Sequence, residues 1–304
     1  MFSRRHPYLF FLLIFSSIAA STLIFLTIVF LGVFSSEHFG IGNLGGEKVG
    51  VIQIDGIIVD AKGVISSLKR FRNNKSIKAI VLRINSPGGG VGPSQEIFRE
   101  VRKTIKHKKV ITSMGAIAAS GGYYIAAGTD GIMANPGTIT GSIGVIMGFT
   151  NYQKLFEKIG LTPVVVKSGE FKDIGSPARK MTMKESEILH DFADQIHRQF
   201  IKDVAMGRKM DIKAVETIAD GRILTGNYSK EIGLVDRIGN FEDAVEWAGR
   251  LGGIKGEVLF VYDREKKFSI ISLLFGNLMK DMMRSFSQQS LNPSYLCNLL
   301  GFVN

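Results

Sequence analysis

"IKAIVLRINSPGGGVGPSQEIFREVRKTIKHKKVITSMG" (Ile77–Gly115) decides the fold. It opens on "IKAIVLRINS" (Ile77–Ser86), an apolar run rich in β-branched residues that stops at Ser-Pro, as a buried strand does. In "PSQEIFREVRKTIK" (Pro93–Lys106), Ile97, Val101 and Ile105 recur at helical spacing. "KVITSMG" (Lys109–Gly115) is again strand-like and ends in glycine. Upstream, "KVGVIQIDG" (Lys48–Gly56) and "GVISSLKRFRNN" (Gly63–Asn74) repeat the pair. A β-α-β-α order predicts an α/β fold, a parallel sheet covered by helices. Downstream, "TPVVVKSG" (Thr162–Gly169) reads as a strand. Thr182–Arg208 reads as a long amphipathic helix with a capping box from Thr182 to Glu185.

The chain has 304 residues, 35 of them Gly, and 21% charged, which suits a folded protein with many tight turns. Its net charge is +11, concentrated in Ser67–Lys78 and Val101–Lys109. No nucleic-acid motif or interleaved aromatics accompany these runs, so no nucleic-acid partner is expected. They read as solvated helix flanks, or as a face toward anionic lipid. Tyr8 to Ser36 is free of charge over 29 residues, against about 20 needed to cross a bilayer. "SIAAS" (Ser17–Ser21) could serve as a signal-peptide cleavage site, but the apolar run continues past it, so an uncleaved anchor is expected. Arg4 and Arg5 favour a cytoplasmic N-terminus and place the chain beyond Glu37 outside. The single Cys297 cannot form an internal disulfide. Phe268–Met283 contains an apolar stretch too short to span, suited to an interface or a lipid surface.

Three glycine-rich turns follow strands: Asn85–Pro93, "ASGGYY" (Ala119–Tyr124) and "TITGSIGVI" (Thr138–Ile146). They fit no phosphate-binding pattern. Pro93 stands where a dinucleotide fingerprint needs Gly or Ala, and there is no G-x4-G-K-[ST]. No HExxH or paired CxxC supports a metal site. Glycines also let backbone N–H groups converge on one oxygen, as in an oxyanion hole. Ser120, set among alanines and glycines, could then attack the carbonyl so held; equally it could cap a helix. A nucleophile needs a base. His6, His38, His107, His190 and His197 are poorly placed in the sequence. Lys172, in "KSGEFKDIGSP" (Lys167–Pro177), is the better candidate, although a surface lysine reads the same way.

"INSPGGG", "SMGAIAASGGYYIAAG", "NPGTITGSIGVI" and "KSGEFKDIGSP", in this order, resemble the short form of the signal peptide peptidase A family, membrane-anchored bacterial serine proteases. The resemblance covers roughly Lys48 to Trp247. It implies the ClpP/crotonase-like fold of repeated ββα units. It further implies Ser120 as nucleophile, Lys172 as general base, Gly89 and Gly121 as oxyanion donors, and Ser142 as the residue that orients the lysine. No cofactor or metal is implied. The lysine must be neutral to act, which burial away from carboxylates favours, so Asp173 is expected to point away. The expected substrates are apolar extended peptides such as cleaved signal peptides. The expected assembly is a homo-octamer in the inner membrane, in contact with lipid, with active sites shared between neighbours. The corresponding organisation is residues 1–36 as cytoplasmic stub and anchor, 37–47 as linker, 48–264 as peptidase domain and 265–304 as a C-terminal segment. A crotonase-like acyl-thioester hydrolase or hydratase would use the same glycines, and an inactive membrane scaffold would need neither Ser120 nor Lys172.

Overall fold

The structure is a computed structural model that describes residues 7–38, 46–263 and 294–296. The expected stub (1–6), most of the expected linker and the tail stretch Phe268–Met283 lie outside the described residues. The chain divides into two compact units, residues 1–46 and 47–304. The first contains one helix, α1 (Pro7–His38), of 32 residues. At 1.5 Å per residue it is about 48 Å long, and it is apolar enough to cross a bilayer core of about 30 Å.

In the second unit, strands β1 (Lys48–Asp55) and β2 (Ile77–Ser86) are joined by helix α2 (Lys62–Asn73). Chain order continues through β3 (Gly88–Gly90), α3 (Val91–Thr104) and β4 (Lys109–Ala118). Next come α4 (Gly121–Ala127), β5 (Gly131–Ala134) and β6 (Ile139–Gly141). The two sequence-predicted crossovers therefore form, with boundaries shifted by one or two residues. β1 pairs in parallel with β2, β2 with β4 and β4 with β5. Later strands complete the layer: β8 (Arg237–Ile238) beside β5 and β9 (Leu259–Tyr262) beside β1. The far end of β4 leaves the layer and pairs through Ile117 with β6, which runs antiparallel to β7 (Ile223–Thr225). β4 thus serves two pairings, and its C-terminal end is where they diverge.

Alternation along the strands builds a core on each face of the sheet. Ile52, Ile54, Ile80, Leu82, Ile84 and Met114 share a buried cluster with α3, α4 and the long helix α6 (Met183–Arg208). Val49, Val51, Ala79, Val81 and Ile111 pack on the other face against Ala244, Val245 and Ala248. Helix α4 is fixed by the two tyrosines of "ASGGYY". The Tyr123 hydroxyl donates to the Leu234 carbonyl (3.0 Å), and burial pushes its pKa up. Tyr124 bonds the Asp203 carboxylate and packs between Phe98 and Phe200, ring centroids 5.0 and 4.9 Å away.

Residues 144–181 leave the sheet beyond β6, and among the described residues there the only helix is α5 (Gln153–Lys158). The strand expected at Thr162–Gly169 is absent: a β-branched run becomes a strand only beside a partner, and none pairs with it among the described residues. Val164 and Val166 are 85% and 97% exposed. The arm is held where it rejoins the body. Arg179 donates to both Asp173 oxygens (2.8 and 2.9 Å) and to Glu185 (2.8 Å), and Lys167 adds a 2.6 Å ion pair to Asp173. Glu185 also closes the capping box on Thr182 that the sequence predicts.

Arg179 and then the Thr182 amide hold the Glu185 carboxyl down at about 2, and Arg179 and Lys167 hold Asp173 below the usual carboxylate range. A carboxyl depressed on folding stabilises fully above its unfolded pKa of about 4.3 and loses that contribution as pH falls toward the folded value. Melting temperature between pH 5 and pH 2 is therefore expected to fall more steeply in the wild type than in Glu185→Gln. Parallel curves would show that this clamp contributes nothing.

Candidate active site

The site lies where β2 and β4 end. Ser86, the last residue of β2, ties the two turns together. Its hydroxyl accepts the Gly88 N–H (3.1 Å), and its carbonyl accepts the Ala119 N–H (3.1 Å). The Gly88–Gly90 strand is thereby set beside the turn that carries Ser120. On one edge β3 exchanges hydrogen bonds with Ile58: Ile58 N–H to Gly88 O (2.9 Å) and Gly90 N–H to Ile58 O (2.8 Å). Successive peptide groups of a strand point to opposite edges, so the Gly89 N–H faces the other way. A Cβ on Gly89 would sit 2.2 Å from the Ile58 carbonyl, so only glycine fits.

Ser120 stands between β4 and α4 with φ 52° and ψ −116°, a conformation that L side chains rarely adopt. It is 1% exposed. The helix-cap reading fails, because its side chain makes no capping bond, and its Oγ has no hydrogen-bond partner among the described residues. The strain is held by neighbours: Ser120 N–H donates to Gly141 O (2.9 Å), Tyr124 N–H to Ser120 O (2.8 Å) and Gly122 N–H to Ala119 O (2.9 Å). Strain of this kind costs about 1–3 kcal/mol and persists where surroundings over-determine it. Gly121 is the first residue of α4, so no carbonyl within that helix can accept its N–H.

Ser142 follows Gly141, the acceptor of the Ser120 N–H. It is buried, has φ 51° and donates its N–H to the Arg222 carbonyl (2.8 Å). The fold therefore gathers Ser120, Gly89, Gly121 and Ser142 at one end of the sheet. It does not bring Lys172 to them within one chain: the Lys172 side chain is exposed on the arm. The neighbouring Asp173 carboxylate is occupied by Arg179 and Lys167. None of the described histidines hydrogen-bonds Ser120 Oγ, and His190 Nδ1 instead lies 2.8 Å from the Ser186 carbonyl on its own helix. Ser86, Ile58 and the Arg179 clamp are positioning residues that the sequence reading missed. For Ser86 a signal existed, a serine directly before Pro-Gly-Gly-Gly; for Ile58 there was none, since it acts through its backbone.

A model of peptidase family S49 matches residues 102–255, and one of Clp protease matches residues 50–139. The chain belongs to peptidase family S49. It is a serine protease of the signal peptide peptidase A type, with a ClpP-like α/β fold. A Synechocystis sp. chain named as a protease is 45% identical over 210 residues, 68% of this chain and 76% of that one. An Enterococcus faecium chain named for signal peptide peptidase SppA is 40% identical over 214 residues, 66% of this chain and 62% of that one. The chloroplastic serine protease SPPA of Arabidopsis thaliana is 33% identical over 206 residues, 67% of this chain but only 30% of its own length.

The backbone of Ser120 makes a testable demand. Glycine adopts this conformation without strain, at a folding cost of about 0.5–1 kcal/mol in conformational entropy, against about 1–3 kcal/mol of strain relieved. Ser120→Gly is expected to raise unfolding free energy by about 1 kcal/mol in urea titration while peptidase activity disappears, and Ser120→Ala is expected to raise it by less. A less stable Ser120→Gly would mean that the turn is not strained.

Proposed function

We propose that the protein is a membrane-anchored endopeptidase in which Ser120 and Lys172 form a catalytic dyad that hydrolyses apolar, extended peptides such as cleaved signal peptides. One observation carries this reading: a buried serine, on a strained turn, whose hydroxyl has no hydrogen-bond partner among the described residues, stands beside a strand edge that presents a glycine N–H. A side chain held that way is poised for a group that arrives from elsewhere.

In the proposed reaction, neutral Lys172 takes the proton from Ser120 Oγ, which attacks the scissile carbonyl. The Gly89 and Gly121 N–H groups receive the oxyanion. The protonated lysine passes its proton to the leaving amine, and water then hydrolyses the acyl-enzyme by the same path. Ser142 orients Lys172 through a hydrogen bond that brings no negative charge, and the clamp on Asp173 keeps the nearest carboxylate engaged elsewhere.

The lysine comes from a neighbouring subunit. Its exposure on the arm, next to the uncovered Val164–Val166 run, supports this reading, because a second copy would bury those valines and supply the missing strand partner. A head-to-tail contact of this kind closes into a ring, here of eight subunits. Helix α1 anchors each subunit in the inner membrane, N-terminus cytoplasmic and catalytic unit outside, in contact with lipid and near the peptides that the membrane retains.

Ser120→Ala and Lys172→Ala are each expected to lower kcat/KM for a peptide substrate by at least about 10³-fold with unchanged circular dichroism. Unfolding and refolding the two variants together at equal amounts is expected to restore about a quarter of wild-type activity, since each shared site needs an intact serine chain beside an intact lysine chain. Verified mixed rings with no activity would reject the sharing and leave the dyad standing. Retained activity in either single variant would reject the dyad.

A further inference from the structure

Strands β1, β2, β4, β5, β8 and β9 are all parallel, so they begin at one end of the body, opposite the turns that carry Gly89 and Ser120. That end is basic. Lys75 lies in the turn between α2 and β2, Lys106 and Lys108 lie between α3 and β4, and Lys109 opens β4. Lys108 joins the two turns, since its Nζ donates to the Phe71 carbonyl (2.6 Å) and to that of Asn74 at the C-terminus of α2. A cation at a helix C-terminus complements the helix dipole, which accounts for Lys108. Lys75 and Lys106 have no such contact: they are exposed and form no ion pair among the described residues. The acids at this end are already engaged or matched. Glu47 pairs with Lys78 (3.0 Å), Asp130 pairs with Lys109 (3.3 Å), and exposed Glu257 has Lys255 two positions away. Burial first, and then the charge of Lys78, hold the Lys108 pKa below its ordinary value, so like charges crowd here.

We propose that this basic end of the sheet is a docking surface for the phosphate headgroups of an anionic lipid bilayer. The proposal rests on the reading of α1 as a membrane anchor. Connectivity fits it. Only residues 39–47 lie between α1 and Lys48, the first residue of β1, so the chain enters the body at the basic end. A link of that length spans at most about 30 Å. Charge fits it too. Each lysine near an anionic lipid surface strengthens binding about fivefold, within a Debye length of about 8 Å. The link holds the lipid at high local concentration, so a few lysines suffice. A nucleic acid fits less well. Phe71 and Phe98, the aromatics within Ser67–Lys109, are both buried, so no base could stack there.

A body docked this way has its active site at a set height. β2 and β4 have 10 residues each, so at about 3.3 Å per residue the turns beyond them stand about 30 Å from the basic end. A peptide held in the bilayer must then extend about nine residues clear of it to meet Ser120.

The test uses the full chain in bilayer discs of phosphatidylcholine, with and without phosphatidylglycerol, and needs no catalysis. Acetylation of each lysine is followed by mass spectrometry. Lys75 and Lys106 are expected to react at least about fivefold more slowly in the discs with phosphatidylglycerol, while the exposed Lys154 and Lys180 of the arm keep their rates. The difference is expected to vanish in about 1 M salt, where charges are screened beyond about 3 Å. In Lys75→Glu/Lys106→Glu chains with unchanged circular dichroism, Lys109 is expected to lose the slowing that phosphatidylglycerol gives it in the wild type. Equal rates in the two discs at low salt, or equal slowing of the arm lysines, would overturn the proposal. So would slowing of the same lysines by duplex DNA, in phosphatidylcholine discs, that matches the effect of the lipid. Chains that fail to enter discs of phosphatidylcholine alone would sink the anchor instead. Salt-sensitive slowing of Lys75 and Lys106 on discs with phosphatidylglycerol would, even then, support the basic surface.

Discussion

One backbone hydrogen bond, from Ala119 N–H to the Ser86 carbonyl, joins the end of β2 to the end of β4, and the site depends on that joint. On one side of it, the Ser86 hydroxyl shapes the turn into β3 and so sets the edge of Gly89. On the other, Ala119 hands the chain to Ser120 at a φ that only a rigid frame could impose. The frame is strong enough on simple magnitudes. Strain of about 1–3 kcal/mol at Ser120 is opposed by several backbone hydrogen bonds of about 0.5–1.5 kcal/mol each, and by the burial of Tyr123 and Tyr124 just beyond. The absence of bulk around the serine belongs to the same frame. Gly122 lies so close to the Ser86 carbonyl that a Cβ there would come within 3.0 Å of it. Small residues permit the two turns to touch.

The parts legible in the sequence are those governed by short-range pattern. β-branched runs that end in Gly or Ser-Pro became β1, β2 and β4, and the spacing of Ile97, Val101 and Ile105 became α3. Thr182 and Glu185 became a closed capping box because all of its atoms lie within one turn. The illegible parts depend on partners distant in sequence. "PVVVKSG" has strand composition and no strand, because composition cannot state whether a pairing edge will be present. Ile58 serves β3 through its backbone, which any residue would supply. Ser120 was legible as unusual, yet only φ, ψ and the missing capping bond separate a strained turn from a helix cap, and a cap would have been written with the same letters.

Arm and body also divide the labour of electrostatics. Arg179 spans Asp173 on the arm and Glu185 at the head of α6, so the loop that carries Lys172 is fixed by ion pairs rather than by apolar packing. A loop held that way keeps its shape while its outer face, with Val164–Val166, stays uncovered. The clamp engages Asp173, the carboxylate next to the lysine in sequence, and leaves the lysine itself outward. Had the loop been folded against its own body, Lys172 would have been buried among the groups of that body instead of standing exposed.

Close backbone approach also explains why β3 is made of three glycines. A three-residue strand with one edge on Ile58 has little intrinsic stability, and glycine lowers it further by about 0.5–1 kcal/mol per residue relative to alanine. What glycine gains there is close approach: a Cβ at 89 would collide with the Ile58 backbone. The edge is therefore open to main-chain pairing by any extended segment, and pairing of that kind recognises backbone before side chains. A protease that reads its substrate this way has weak means of refusing a peptide by sequence. Its selectivity must come from what can reach the edge.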